Sequence, residues 1–296
     1  MKKIIIGIPI YNGALTIEKT FASLRKAILY CNKRCPHQLE VVFVLNGCTD
    51  ESESIVRDIT QFNTDLTIRL HSIDKASKPL AINILRAYKA DYIGYVDDDV
   101  ILDEEAIMDE IRLLESNEDI WGVYVDSFPL PCREGIGWFS KIIYNAMTMR
   151  TRFNLLADRG VLLIGRCVLF KQEKLPLIPE DTLNEDQYLD YLLYPHIKKV
   201  NDSFIFYEGI YSLRKNFQRD IRITAGRKQL KKRFPNSITD IVDSGISRKI
   251  NYNKLFSLSI GQIVLYIIYR IIYKISKVMV NVCLLFNNEP QWKRTS

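Results

Sequence analysis

Tyr92-Ile93-Gly94-Tyr95-Val96-Asp97-Asp98-Asp99 is an uncharged stretch that ends abruptly in three carboxylates. Its apolar part has strand length and no helical spacing, so it predicts a strand buried on both faces. The residues before it repeat one pattern. Ile4–Ile10 is a continuous apolar, β-branched run closed by Asn12-Gly13, and Glu40–Leu45 is a second, closed by Asn46-Gly47. Thr67–Ile73 reads as a third strand. Between these runs lie segments with apolar residues at helical spacing: 16–30, with Ile17, Phe21, Leu24 and Ile28 on one side, then 52–62 and 79–90. Asp103–Ser116 continues as another helix with acids in its first turn.

Strand and helix in alternation predict an α/β fold, a doubly wound and mostly parallel sheet. In such sheets ligands bind beyond the carboxyl ends of the strands. The turns after the first, second and fourth strands are therefore the places to look for function. Further along, 121–127 and 161–170 are strand candidates, 184–193 reads as helical, and the Gly and Pro residues of 129–137 predict a mobile loop.

Three adjacent carboxylates repel one another, and a divalent cation is one way to offset the repulsion. Oxygen ligands suit Mg²⁺ or Mn²⁺, and Mg²⁺ takes one or two protein carboxylates and completes its shell with water and substrate phosphates. The other reading of Asp97–Asp99 is a solvated acidic turn that caps the next helix.

Five segments carry a family resemblance. They are Ile8-Pro9-Ile10-Tyr11-Asn12, Val44-Leu45-Asn46-Gly47-Cys48-Thr49-Asp50, Ser77-Lys78-Pro79-Leu80-Ala81-Ile82-Asn83, Tyr92–Asp99 and Asn184-Glu185-Asp186. In order and spacing they resemble the motifs of the family-2 inverting glycosyltransferases of GT-A fold, within the nucleotide-diphospho-sugar transferase superfamily. The fourth resembles that family's D-x-D motif. The resemblance covers roughly the first 230 residues. It implies that Asp99 ligates the metal, and that Asp97 and Asp98 contact the ribose or the metal's water shell. It implies that Pro9, Tyr11 and Asn46 border the nucleotide, with Lys78 near it. Asp186 becomes the general base that deprotonates the acceptor hydroxyl, beside Glu185, which as a neighbouring carboxylate raises the base's pKa. Asn184-Glu185-Asp186 also reads as a helix start with Asn184 as N-cap.

The departures matter too. Many relatives carry acids where this chain has Gly13-Ala14, and many carry Asp at or beside Asn46. The resemblance therefore leaves the donor open between UDP- and GDP-linked sugars. Processive members carry Q-x-x-R-W, whereas here Gln218 and Arg222 are not followed by Trp. That favours transfer of a single sugar to a saccharide or lipid-linked acceptor, in polysaccharide, glycolipid or glycoprotein synthesis.

The rest of the chain sets bounds. Its 296 residues are 47% hydrophobic and 26% charged, which argues against disorder and supplies a sizeable core. The six cysteines form no C-x-x-C pair and are too sparse for a disulfide scaffold, so they read as free thiols in a reducing compartment. His37, His71 and His196 have no metal spacing. Lys2-Lys3 and Ile4–Ile10 look superficially like a signal peptide, but the run is short and has no cleavage site, so it reads as a strand and keeps the enzyme cytoplasmic. The net charge is +6 and unevenly placed: Arg214–Arg233 holds nine basic residues and one acid. Arg219 and Arg222 are candidates for holding a diphosphate of the donor or of a lipid-linked acceptor. A solvated basic helix or an anionic-lipid contact explains the stretch as well.

On a helical wheel Ser259, Tyr266, Arg270, Lys274, Lys277 and Asn281 fall on one face, with Ile268, Ile271, Ile272, Ile275, Met279 and Val282 opposite. This predicts a basic amphipathic helix lying on a membrane surface, peripheral on its inner face. A helix packed on the protein's own core, and a spanning helix with snorkelling cations, are the alternatives. The expected organisation is a GT-A catalytic domain at 1–235, a linker at 236–254, the interfacial helix at 255–286 and a polar tail at 287–296. Two other functions compete with transfer of a sugar. A nucleotidyltransferase favours a Gly-rich, cationic loop after the first strand, but Ile10–Thr16 has one Gly and no cation. A non-catalytic nucleotide- or membrane-binding protein on the same fold has no use for the acid triplet and the Glu185-Asp186 pair. A nucleic-acid partner accounts for the basic stretch alone and leaves the acids unexplained.

Overall fold

The computed structural model describes residues 1–153, 163–234 and 255–286. β1 (Lys3–Ile10), α1 (Ile17–Asn32), β2 (Gln38–Asn46), α2 (Ser52–Phe62), β3 (Thr67–Ile73), α3 (Lys78–Arg86) and β4 (Tyr92–Val96) follow in alternation. Then come β5 (Val100–Leu102), α4 (Ala106–Glu115), β6 (Gly122–Pro129), α5 (Trp138–Arg152) and β7 (Cys167–Lys171). The chain continues through α6 (Glu185–Leu193), β8 (Ile197–Tyr207), α7 (Leu213–Arg233) and α8 (Ile260–Phe286). The expected linker at 236–254 and tail at 287–296 lie outside the described residues, as do the first two residues of the strand expected at 161–170.

The eight strands form one sheet in the order β3-β2-β1-β4-β7-β6-β8-β5. β1 pairs in parallel with β2 and β4, and β2 with β3. β7 runs antiparallel to β4 and β6, and β5 antiparallel to β8. The sheet is thus parallel among β3, β2, β1 and β4, and the pairings of β7 with β4 and β6 and of β5 with β8 are antiparallel. β1 shows why its residues make a two-faced strand. Ile4, Ile6, Ile8 and Ile10 join the core cluster that includes Ile17, Phe21 and Leu24 of α1. On the opposite face, Gly7 lies so close to Leu85 of α3 that a Cβ would collide with it. All six cysteines are free thiols.

Two compact units emerge: residues 1–127 with 163–207, and residues 128–162 with 208–296. The first holds nearly all of the sheet and α1–α4 and α6. In the second, α8 packs against α5 and α7. There the Tyr144 ring stacks on Tyr211 at 4.4 Å, and its hydroxyl donates to the Leu130 carbonyl at 2.6 Å. Among the described side chains of α8, only Tyr269, Ser276 and Val280 are buried. Its Ile and Val residues on the other side are exposed. No helix among the described residues is long and apolar enough to cross a membrane.

Candidate active site

The site is built at the carboxyl end of β4, within the first unit. The Asp97 N–H donates to the Arg166 carbonyl at 2.8 Å, which carries the β4–β7 pairing one step past the strand end. The three acids then diverge. Asp98 turns inward and is buried, and its Oδ2 accepts the Tyr11 N–H at 3.1 Å. This bond ties the end of β1 to the end of β4. Asp97 accepts from Lys78 Nζ at 2.7 Å. Asp99 lies 3.8 Å from the Arg166 guanidinium, which sits over the Tyr207 ring at 4.0 Å. Burial alone would lower the pKa of Arg166, but Asp99 foremost and then Tyr207 raise it.

Lys78 is placed by a short relay. Asn46, at the end of β2, is buried and accepts the Ser77 N–H at 2.6 Å. Ser77 in turn caps α3, its Oγ accepting the Leu80 N–H at 3.3 Å. The first residue of α3 is therefore aimed across the strand ends. Lys78 Nζ donates to Asp97 and to the Gly165 carbonyl, at 3.1 Å, and pairs with Glu185 at 3.2 Å. Burial would pull its pKa down, but Asp97, Glu185 and Asp186 hold it well above the ordinary lysine value. The ammonium stays charged and joins the triplet to the start of α6.

α6 supplies the second pair of acids. Asn184 occupies the cap position expected of it, but its side chain accepts no backbone N–H and instead donates its amide to Gln187 Oε1 at 2.9 Å. Glu185 is buried, with Oε2 lacking a hydrogen-bond partner among the described residues. Asp186 is half-buried and faces Gly165, where any Cβ would collide with its carboxylate. One turn later, Asp190 accepts the Leu163 N–H at 2.8 Å, and burial pushes its carboxyl well above the usual range. Segment 163–166 is thus clamped between α6 and the end of β4. Tyr95 is fully buried, and burial together with Asp186 raises its phenol.

The sequence of one family fits this arrangement. The model of Glycosyl transferase family 2 matches residues 5–175, more than half of the chain. The chain belongs to glycosyl transferase family 2. The sheet and its helices resemble those of mannosyltransferase PcManGT from Pyrobaculum calidifontis, in complex with GDP-Man and Mn²⁺. The TM-score is 0.64 at 15% identity, over 98% of this chain and 88% of that one. They also resemble S. aureus TarS 1-349 in complex with UDP-GlcNAc, with a TM-score of 0.52 at 17% identity over 90% and 79% of the two chains. No curated protein matches the sequence.

Within this family 2 chain, the first unit brings together Tyr11, Lys78, Asp97, Asp98, Asp99, Glu185 and Asp186. Pro9 is buried within β1, paired in register with Val44, and Asn46 is buried behind Ser77. Arg219 and Arg222 belong to the second unit, on α7, where Arg219 donates to Asn216 at 2.6 Å and pairs with Asp220 at 3.3 Å. The motifs do not mark Gly165 or Arg166. A pairing argument finds Arg166: if 167–170 runs antiparallel to β4, the residue before Cys167 must face Asp97.

The donor set also bears on a metal. Among the described residues no group of three or more His, Cys, Asp or Glu side chains is disposed to hold one. A cation shared with a diphosphate needs less, one or two carboxylates, with phosphate and water oxygens filling the shell. Asp99 and Asp97 meet that requirement. The acids here outnumber the two cations Lys78 and Arg166, so a divalent cation suits the local charge.

Proposed function

We propose that the chain is a metal-dependent, inverting glycosyltransferase that moves one sugar from a nucleoside-diphosphate donor to an acceptor hydroxyl. The observation that carries this reading is the convergence of Asp97, Asp99 and Asp186 on one short segment, Gly165-Arg166, with Lys78 joining the two groups of acids.

Asp99 and Asp97 are the residues that would hold Mg²⁺ or Mn²⁺. Such a cation, when bound with the donor, stabilises the departing diphosphate. The protein's own groups do the rest. Tyr11 and the buried Asp98 fix the floor on which the nucleotide lies. Arg166, held over Tyr207, adds a fixed positive charge beside Asp99. Asp186 takes the proton of the attacking hydroxyl on the face opposite the departing diphosphate, which gives inversion. Glu185 is bound to Lys78 and therefore positions its neighbour rather than exchanging the proton itself. The donors bound to the two solved relatives, GDP-Man and UDP-GlcNAc, keep both nucleotide classes in play.

The test is Asp186→Asn. Sugar transfer should fall by about 10²–10⁴-fold, the usual worth of a general base, while nucleotide binding stays within a few-fold of wild type. A variant that loses binding instead removes Asp186 from the role of base.

A further inference from the structure

The second unit carries an apolar surface that the proposed chemistry does not use. Among the described residues, α8 packs one side against α5 and α7. Tyr269, Ser276 and Val280 are buried there, and Ser276 Oγ donates to Asp220 of α7 at 2.6 Å. On the other side Ile263, Ile267, Ile271, Ile275, Val278 and Val282 are 38% to 65% exposed. They recur every three or four residues, the spacing of one continuous helical stripe rather than of scattered surface residues.

Charge accompanies the stripe. α8 has no acid, and exposed Arg270, Lys274 and Lys277 follow one edge of it. α7 adds nine cations and a single acid, Asp220, which is engaged by Ser276, Asn216 and Arg219. Two of the three ways of covering such a face leave something unsatisfied. A second copy meeting it across a two-fold axis would bring the cations of α8 against their own copies, with no acid between them. A spanning helix would place a cation in nearly every turn of its middle. A bilayer surface satisfies both features at once, because the acyl boundary takes the stripe and anionic headgroups take the cations.

We infer that the second unit docks the protein on an anionic lipid bilayer, with α8 lying in the interface plane and its Ile/Val stripe turned into the acyl boundary. The exposed side chains carry the docking, so they can be replaced without unfolding the unit.

The test is co-sedimentation of the full chain with vesicles of phosphatidylcholine alone and of equal parts phosphatidylcholine and phosphatidylglycerol. The protein should pellet with the anionic vesicles, be left in solution by the neutral ones, and be released as salt is raised. Replacing Ile267 and Ile271 together by Asp should weaken binding at least about tenfold. Replacing Arg270, Lys274 and Lys277 by Gln should weaken it about fivefold for each charge removed. Both variants should keep the wild-type Tm and nucleotide binding. Equal pelleting with both vesicles overturns the anionic part of the inference. A wild-type chain that pellets with neither overturns the whole. In that event a dimer that the Asp variant converts to monomer assigns the stripe to a second copy.

Discussion

Lys78 shows how much a single side chain carries at this site. Its ammonium is the shared partner of Asp97 and Glu185, and it also bonds the Gly165 carbonyl. Removing one partner from a buried ionic group leaves uncompensated charge and costs about 3–5 kcal/mol. Lys78→Met, melted without added metal, should therefore lose Tm by about 2–4 °C for each kcal/mol. An unchanged Tm would mean that the acids are balanced by something else. The acids themselves were legible in the sequence, because Asp97–Asp99 follows an apolar strand and Glu185-Asp186 opens a helix. Asn46 was legible as a site residue, and the structure shows it buried, its side chain accepting the Ser77 amide. Arg166 was not legible. Its position depends on which strand β7 pairs with and in which direction, and no local pattern encodes that.

The elements show the same division between local and non-local information. β1–β4 and α1–α4 could be read because each has its own period and its own punctuation, Asn12-Gly13, Asn46-Gly47 and Ser77-Lys78-Pro79 among them. α3 stops at Arg86, short of the expected Ala90, and α5 begins directly after the Gly/Pro stretch that read as a loop. β8 was not read, since Ile197–Tyr207 is largely polar in its first half and becomes a strand only by pairing. Val100 of β5 meets Tyr207, a partner distant in sequence. The segment at 163–166 is the element with the clearest consequence for chemistry. The Asp186 carboxylate occupies the space that a side chain at Gly165 would take, so a larger residue there must displace it. Gly165→Ala should shift Asp186 and lower kcat by about 10²-fold, the effect of a misplacement of roughly 1 Å, with donor affinity little changed. Kinetics set beside nucleotide titration check this, and equal kcat in the two proteins would detach Asp186 from the reaction.

At the scale of the molecule, chemistry and surface properties fall in different units. The first unit holds the parallel sheet, the acids, Lys78 and Arg166, and lies mostly within the stretch that the family matches. The second holds the basic α7 and the apolar stripe of α8. The sequence could distribute charge and apolar residues along the chain. It could not show that 128–162 joins 208–296 in one unit, since that grouping depends on helix packing across a long separation. The proposal that the acids of the first unit hold a metal-bound nucleotide diphosphate is the claim on which the rest depends. Isothermal titration calorimetry of UDP and of GDP into the purified protein, each with and without Mn²⁺, tests it directly, with Asp99→Ala as the control. Binding of one nucleotide that requires Mn²⁺ and disappears in Asp99→Ala is the result expected. Binding that ignores the metal, or none by either nucleotide in protein shown to be folded, would contradict it.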